Sequence, residues 1–358
     1  MIAKLMIEKT QLDLLEKLCN AVAVSGGEGE VRRIIIDELT GIADDISVDA
    51  LGNVLVKKLA NPEVQNPINV MLDAHMDEVG FMIAEDEGNG IYAFEVVGGI
   101  DPRQLPGKQV LVGKEHLPGV IGAKPIHLND DKEDDSPIPL DSLRIDLGPE
   151  GAGKVNPGDY ATFSTRFLIS ENKIFAKALD DRLGVATIIE LVKHAPGNIN
   201  LLASFSVQEE IGLRGARVAA YTFEPDLAIA IDSTPAHDLP REDGEENSVY
   251  NCRFGAGPAI YISDAGTVSD PRLIRFLAKT AEENNIPYQF RQPGGGGTNA
   301  GSIHKAKTGI PSVSISVPGR YAHTAVLLSC LEDWQNTLNL AYQALCLVTP
   351  DILATPRD

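Results

Sequence analysis

The chain has 358 residues, 43% of them hydrophobic, and a formal net charge of −20. That length supports a large core and two domains of roughly 100–200 residues each, while the negative balance repels phosphates and argues against nucleic acid as a partner. No run approaches the ~18 apolar residues that a membrane span requires.

The opening stretch MIAKLMIEKTQLDLLEKL lacks a basic start, an apolar stretch and a small-residue cleavage site. It reads as the start of the fold rather than a signal peptide. SGGEGEVRRIIIDELTG (25–41) pairs Ser25 with Glu28 as a capping box for a helix. Val31, Ile34, Ile35 and Leu39 form its expected buried face, and Gly41 its end. Short β-like runs follow in SVDALGNVLVKKL, and INVMLD (68–73) reads as a buried strand. From about 78 to 168 many short apolar runs are separated by Gly and Pro, the texture of a small all-β unit, a barrel or a sandwich. The acid run NDDKEDD (129–135) inside it reads as a solvated loop, because the EF-hand spacing of a calcium site is absent. After about 170, strand and helix alternate: Val185, Ile188, Ile189 and Val192 follow helical spacing, LLASFSV (201–207) and DLAIAI (226–231) are strands, 271–284 is helical, and PSVSISV (311–317) is a further strand. The expectation is an α/β fold, a mostly parallel sheet with helices on both faces, built from 1–77 and 169–358 and interrupted by a small all-β insertion at 78–168. The four cysteines, Cys19, Cys252, Cys330 and Cys346, include no CxxC pair, so reduced thiols in a cytoplasmic protein are expected.

In an open α/β sheet, ligands bind outside the carboxyl ends of the strands. INVMLD runs into His75 and Asp77, LLASFSV into Glu209 and Glu210, DLAIAI into Asp232, and PSVSISV is followed by His323. Asp180 and Asp181 precede the helix near Leu183. Taken singly, each has a bland reading: a lone HxD is more often structural, Asp180-Asp181 suits a helix N-cap, and Glu209-Glu210 suits an exposed turn. Convergence of all five pieces is more economically explained by one cause, a pair of divalent metal ions. His75, Asp180, Glu210, Asp232 and His323 would bring three negative charges and two neutral imidazoles against four positive charges, leaving one for a bound hydroxide. Mixed imidazole and carboxylate ligands suit zinc, cobalt or manganese better than calcium. Two such ions ~3.5–4 Å apart lower the pKa of a bridging water toward ~7. Glu210 would then grip metal, Glu209 act as general base, and Asp77 accept the second N–H of His75.

The stretches AHMDEVGF (74–81), IGAKPIHL (121–128), KALDDRLG (177–184), VQEEIGLRGA (207–216), AIDSTPA (230–236), GGGGTNAG (294–301) and GRYAHT (319–324) carry a resemblance. In order and spacing, over nearly the whole chain, the sequence resembles the co-catalytic metal aminopeptidases that include glutamyl, deblocking and tetrahedral aminopeptidases. The resemblance implies His75, Asp180 and Asp232 on one metal, and Asp180, Glu210 and His323 on the other, with Asp180 bridging. It implies Glu209 as the base and Asp77 as the orienting acid. It also implies a β insertion between the HxD strand and the DDR segment, short peptides as substrates, and dimers assembling into a hollow dodecamer. The chain departs from the family's GGTDAG at Asn299, which bears on substrate preference. The glycine run 294–297 lacks the ending of a phosphate loop. Arg320 is open between a substrate carboxylate and a structural ion pair. His116, His127, His194, His237 and His304 have no companion ligand, and Trp334 reads as core or interface. Two other readings compete: a glycoside hydrolase, which needs two carboxylates and no metal set, and a non-catalytic metal-binding scaffold.

Overall fold

The structure, a computed structural model, describes residues 3–123, 138–245, 247, 251–292 and 295–357. The acid run 129–135, His127 and Gly294 lie outside the described residues. The chain opens with helices α1 (Lys9–Asn20) and α2 (Gly29–Leu39), whose apolar stripes bury Leu14, Leu15 and Leu18, and Val31, Ile35 and Leu39. The hairpin of β1 (Asp45–Val48) and β2 (Val54–Lys58) leads to β3 (Asn69–His75). Among the described residues, six strands then close a barrel: β4 (Gly80–Gly88), β5 (Ile91–Val97), β6 (Gln109–Val112), β7 (Leu117–Gly122), β8 (Arg144–Asp146) and β9 (Tyr160–Phe163). Its core is its own. Phe81 meets Phe94 and Phe163 edge to face, with ring centroids 5.2 and 5.3 Å apart, surrounded by Ile83, Val110, Ile121 and Ile145.

The hairpin β10 (Leu168–Ser170) and β11 (Lys173–Ala176) returns to the main sheet. Then follow α3 (Leu179–Lys193), β12 (Asn200–Ser206), α4 (Arg214–Phe223), β13 (Leu227–Pro235), β14 (Ala259–Tyr261), α5 (Pro271–Glu283), β15 (Gln289–Arg291), α6 (Ala300–Ile303), β16 (Ser312–Arg320), β17 (Leu327–Cys330), α7 (Leu331–Leu347) and α8 (Asp351–Ala354). Among the described residues the sheet has 11 strands, nine of them in the order β1-β2-β12-β3-β13-β16-β17-β11-β10. The central pairings, β12 with β3, β3 with β13 and β13 with β16, are parallel. Antiparallel pairs extend it at both edges, β2 with β12 on one side and β17 with β16 on the other. Strands covered on both faces need apolar residues at successive positions. Val70 and Leu72 point into the large core with α3 and α7, whereas Met71 packs with Ala216, Ala219 and Ile303 of α4 and α6. The α/β sheet with helices on both faces and a small all-β barrel matches the fold class expected from the pattern. Trp334 is buried in the core and donates its indole N–H to Thr187. Among the described residues, no helix is long and apolar enough to cross a membrane.

Local expectations shift in two places. The Ser25–Glu28 capping box does not form: α2 begins at Gly29, and Glu28 takes the N–H of Gly26 at 2.6 Å. Ser25 instead donates its hydroxyl to Asp77 Oδ2 at 2.6 Å. A hydroxyl beside a buried carboxylate serves as donor, not as the acceptor a cap requires. Strand β13 also runs three residues beyond Asp232, to Pro235, so this carboxylate projects from within a strand.

Where β3 gives way to the barrel, Glu78 ties the two parts together. Its carboxylate accepts from Lys177 Nζ at 2.8 Å, from Arg182 Nη2 at 3.2 Å, from the Thr162 hydroxyl at 2.8 Å and from Ala23 N at 3.0 Å. All three charged groups are buried. Removing one partner from such a group leaves charge out of water and uncompensated. Lys177→Met is expected to lower the unfolding free energy by about 3 kcal/mol, read as a shifted urea midpoint by circular dichroism. An unchanged midpoint would mean that this charge cluster contributes nothing to stability.

Candidate functional site

The central strands deliver their functional side chains to one rim. His75 is the last residue of β3, and Glu209 and Glu210 lie in the turn that leaves β12. Asp232 is on β13 opposite Ser316 of β16, and His323 lies three residues beyond β16. Asp180 comes from the irregular first turn of α3, where Asp180 and Asp181 have non-helical backbone angles. Asp180 Oδ1 is 3.4 Å from His75 Nε2, and its Oδ2 is 3.5 Å from His323 Nε2. Asp232 Oδ1 approaches His75 Nε2 at 3.7 Å, and Glu210 Oε2 approaches His323 Nε2 at 3.2 Å. The five residues thus form two groups sharing Asp180: His75, Asp180 and Asp232, and Asp180, Glu210 and His323. Within each, the donor atoms lie within 4.8 Å of one another.

Both imidazoles are held from behind. His75 Nδ1 lies 3.0 Å from the carbonyl of Asp77 and 3.4 Å from its carboxylate. His323 Nδ1 lies 2.9 Å from the carbonyl of Gly99. An N–H donated to a carbonyl leaves the Nε2 lone pair facing the carboxylates, the tautomer a cation requires. Asp77 does more than face the ring. Its oxygens accept from the backbone N–H of Glu209 at 3.0 Å and of Glu210 at 3.2 Å, beside the Ser25 hydroxyl. The HxD segment therefore fixes the turn that carries both glutamates. Arg182 spans the carbonyls of Met76 and Asp77 from α3. On the barrel side, Gly98 has φ +89° and its α-carbon faces Val79 and Glu210; an added Cβ would meet Val79 at 2.8 Å. A side chain at this left-handed position would be strained and would crowd Val79, next to the Gly99 that meets His323.

Charge is crowded here. Burial, reinforced by Asp180 against the pull of His323, pushes the Glu210 carboxyl up to about 8. Burial and Asp180 likewise raise Asp232 to about 6. Glu209 is driven well above the usual carboxylate range by burial and by its acidic neighbours. Asp180 goes the other way: burial disfavours its charge, but His323 and His75 together hold it below that range. Its hydrogen bond raises His323 to about 10. Such a cluster, left to itself, draws protons onto imidazoles and carboxyls alike, so it lacks positive charge. Imidazole nitrogens and carboxylate oxygens in two groups suit a borderline-soft divalent cation.

The rim opens into a cavity of about 430 Å³, lined by these residues and by Tyr261, Arg291 and Gly295–Gly297. Glu209 belongs to neither ligand group, and no described residue hydrogen-bonds its carboxylate. Asp181 accepts from Gly184 N at 2.9 Å, capping the regular part of α3. Asn299 is buried beneath the site, its amide on Asp73 at 2.7 Å and Ser206 at 2.8 Å, and does not line the cavity. Arg320 forms a bidentate pair with Asp238 at 2.8 and 3.0 Å, the structural alternative. His116 pairs with Glu30, and His194 and His304 contact carbonyls of their own helical turns. Sequence reasoning gave Ser25 a helix-capping role in place of its contact with Asp77, and missed Arg182, Tyr261 and Arg291. Of these three, only Arg182 lies inside a motif quoted above, KALDDRLG.

The model of the family "M42 glutamyl aminopeptidase" matches residues 52–340. A lysyl aminopeptidase of Pyrococcus furiosus is 32% identical over 346 residues, covering 92% of this chain and 95% of its own. The structure of an aminopeptidase from the archaeon Desulfurococcus kamchatkensis superposes with a TM-score of 0.89 at 32% identity, covering 96% of each chain. The TET1 peptidase of Pyrococcus horikoshii, which can assemble into a tetrahedron or a large octahedral shell, superposes at 0.82 with 33% identity, covering 94% of this chain and 100% of its own. The chain belongs to the M42 glutamyl aminopeptidase family and is a peptide hydrolase.

Proposed function

We propose that the protein is a dinuclear metal aminopeptidase that removes N-terminal residues from short peptides. The observation that carries this reading is the division of the Asp180 carboxylate, one oxygen toward His75 and the other toward His323. His75, Asp180 and Asp232 would hold one divalent ion, and Asp180, Glu210 and His323 the second, with zinc or cobalt favoured by the donor set and manganese also compatible. When bound, such ions supply a water of lowered pKa and polarise the scissile carbonyl. The protein's own contribution is proton handling and placement. Glu209, uncommitted at the cavity wall, takes the proton of the attacking water and returns it to the leaving amine. Asp77 keeps His75 in its working tautomer and holds the backbone of the glutamate turn, so that Glu210 and Glu209 point to different tasks.

Residues 78–168 form, in this reading, an insertion that completes the site by supplying Gly99 to His323. A homo-oligomer is proposed from the assemblies of the TET1 peptidase. The family name refers to glutamyl and a 32%-identical relative to lysyl substrates, so membership leaves the preferred N-terminal residue open. A glycoside hydrolase would need two carboxylates flanking a sugar bond without cation ligands, and the paired imidazoles have no part in that chemistry.

Protein purified with zinc or cobalt is expected to carry two metal ions per chain by plasma mass spectrometry and to release amino acids from aminoacyl-anilides. A chelator should abolish turnover, and added metal restore it. His323→Ala should retain about one ion per chain; two retained ions would remove His323 from the ligand set. Glu209→Gln should keep both ions but lose about 10²–10⁴-fold in kcat. Wild-type turnover in that variant would refute the assigned base.

A further inference from the structure

Three cationic side chains are buried among the described residues: Lys177, Arg182 and Arg291. The first two share the carboxylate of Glu78. Arg291, on β15, has no such partner. It is 4% exposed and lines the active-site cavity together with Tyr261 and Gly295–Gly297. Its guanidinium carbon lies 4.5 Å from the centroid of the Tyr261 ring. It donates from Nε to the Thr234 hydroxyl at 3.2 Å, from Nη2 to the Gly295 carbonyl at 2.9 Å and, at longer range, from Nη1 to the Gln292 carbonyl at 3.4 Å. All of these partners are neutral, and no described carboxylate lies within ion-pair distance.

A guanidinium offers five N–H donors. Three are taken up, and two are left for a ligand. Withdrawing a cation from water without a counter-charge is unfavourable, and the neutral dipoles and aromatic face around Arg291 orient it without neutralising it. The orientation is well determined. Thr234 holds Nε and also accepts from the Tyr261 hydroxyl at 3.0 Å, so ring, hydroxyl and guanidinium form one rigid wall. That wall is connected to the proposed ligands, because Thr234 lies two residues beyond Asp232 on β13.

Resting on the aminopeptidase reading, we propose that Arg291 is a specificity-determining residue: it receives the side-chain carboxylate of an N-terminal glutamate or aspartate. The missing counter-charge arrives with the substrate, and a planar fork suits a carboxylate better than any neutral side chain. A lysine side chain would bring a second cation to the same wall. A carboxylate could also come from the C-terminus of a dipeptide, and aminoacyl-anilides separate the two sources because they have no C-terminal carboxylate.

The test is kcat/KM of the metal-loaded full-length protein on glutamyl-, glutaminyl-, leucyl- and lysyl-p-nitroanilide. The expected result is a preference for glutamyl over its neutral isostere glutaminyl of about ten- to a hundredfold. In Arg291→Met that ratio should fall to near one, and in Arg291→Lys part of it should survive. Should Arg291→Met not fold, inhibition of the wild-type enzyme decides: free L-glutamate should inhibit more strongly than L-glutamine by a similar factor. A wild-type ratio near one, a glutamyl preference unchanged in Arg291→Met, or an acidic preference confined to dipeptides would overturn the assignment. Turnover of leucyl- or lysyl-anilide in preference to glutamyl would sink it while leaving the aminopeptidase reading intact. Failure to cleave any anilide would remove that reading and the inference with it.

Discussion

One carboxylate, that of Asp180, reaches two imidazoles at once, 3.4 Å from His75 and 3.5 Å from His323. Much of the local architecture serves this arrangement. The chain enters α3 through Ala178 in a left-handed conformation, and the helix does not become regular until after Asp181. That irregular turn aims Asp180 at the rim, while Asp181 turns inward to cap Gly184. A regular helix from Leu179 would separate neither role. The strands on either side then need only present one imidazole and one further carboxylate each. The outcome is a site that concentrates negative charge away from water, which is tolerable only where cations or protons compensate it.

The barrel takes part in this site. Its loop after β5 offers the Gly99 carbonyl to His323, and Gln104 donates to the His323 carbonyl at 3.0 Å. Its strand β9 supplies Thr162 to Glu78, whose charged partners, Lys177 and Arg182, flank Asp180 in the chain. Arg182 in turn contacts the carbonyl of Asp77, against which His75 rests. A continuous set of buried polar contacts therefore connects the barrel, the end of β3 and the start of α3. Positioning of the imidazoles depends on all three.

Much of this was legible from residue order. Buried strands appeared as unbroken apolar runs, and each handed a His, Asp or Glu to its carboxyl end, so a shared rim followed from topology alone. The barrel announced itself as short apolar runs between glycines and prolines. Ser25 shows where reading fails: its spacing to Glu28 satisfied a local helix-start pattern, but a buried carboxylate 52 positions away, Asp77, claimed the hydroxyl. Arg291 shows the same limit. Nothing beside it in QFRQPG distinguishes a surface arginine from a buried one. Its significance arises from what is absent around it in space, and one-dimensional spacing does not encode a missing counter-charge. Asn299, tied by its motif to substrate preference, is buried at the start of α6 with its amide on Asp73 and Ser206 and does not line the cavity, contacts with strands far away in the chain that the motif does not encode.

The central claim is that two cations sit on either side of Asp180. Anomalous diffraction from crystals grown with zinc, recorded across the zinc edge, tests it most directly. Two peaks are expected, one within coordination distance of His75, Asp180 and Asp232, the other of Asp180, Glu210 and His323, with a different Asp180 oxygen on each. A fully loaded crystal with no peak at this rim, or with Asp180 bound to neither ion, would contradict it.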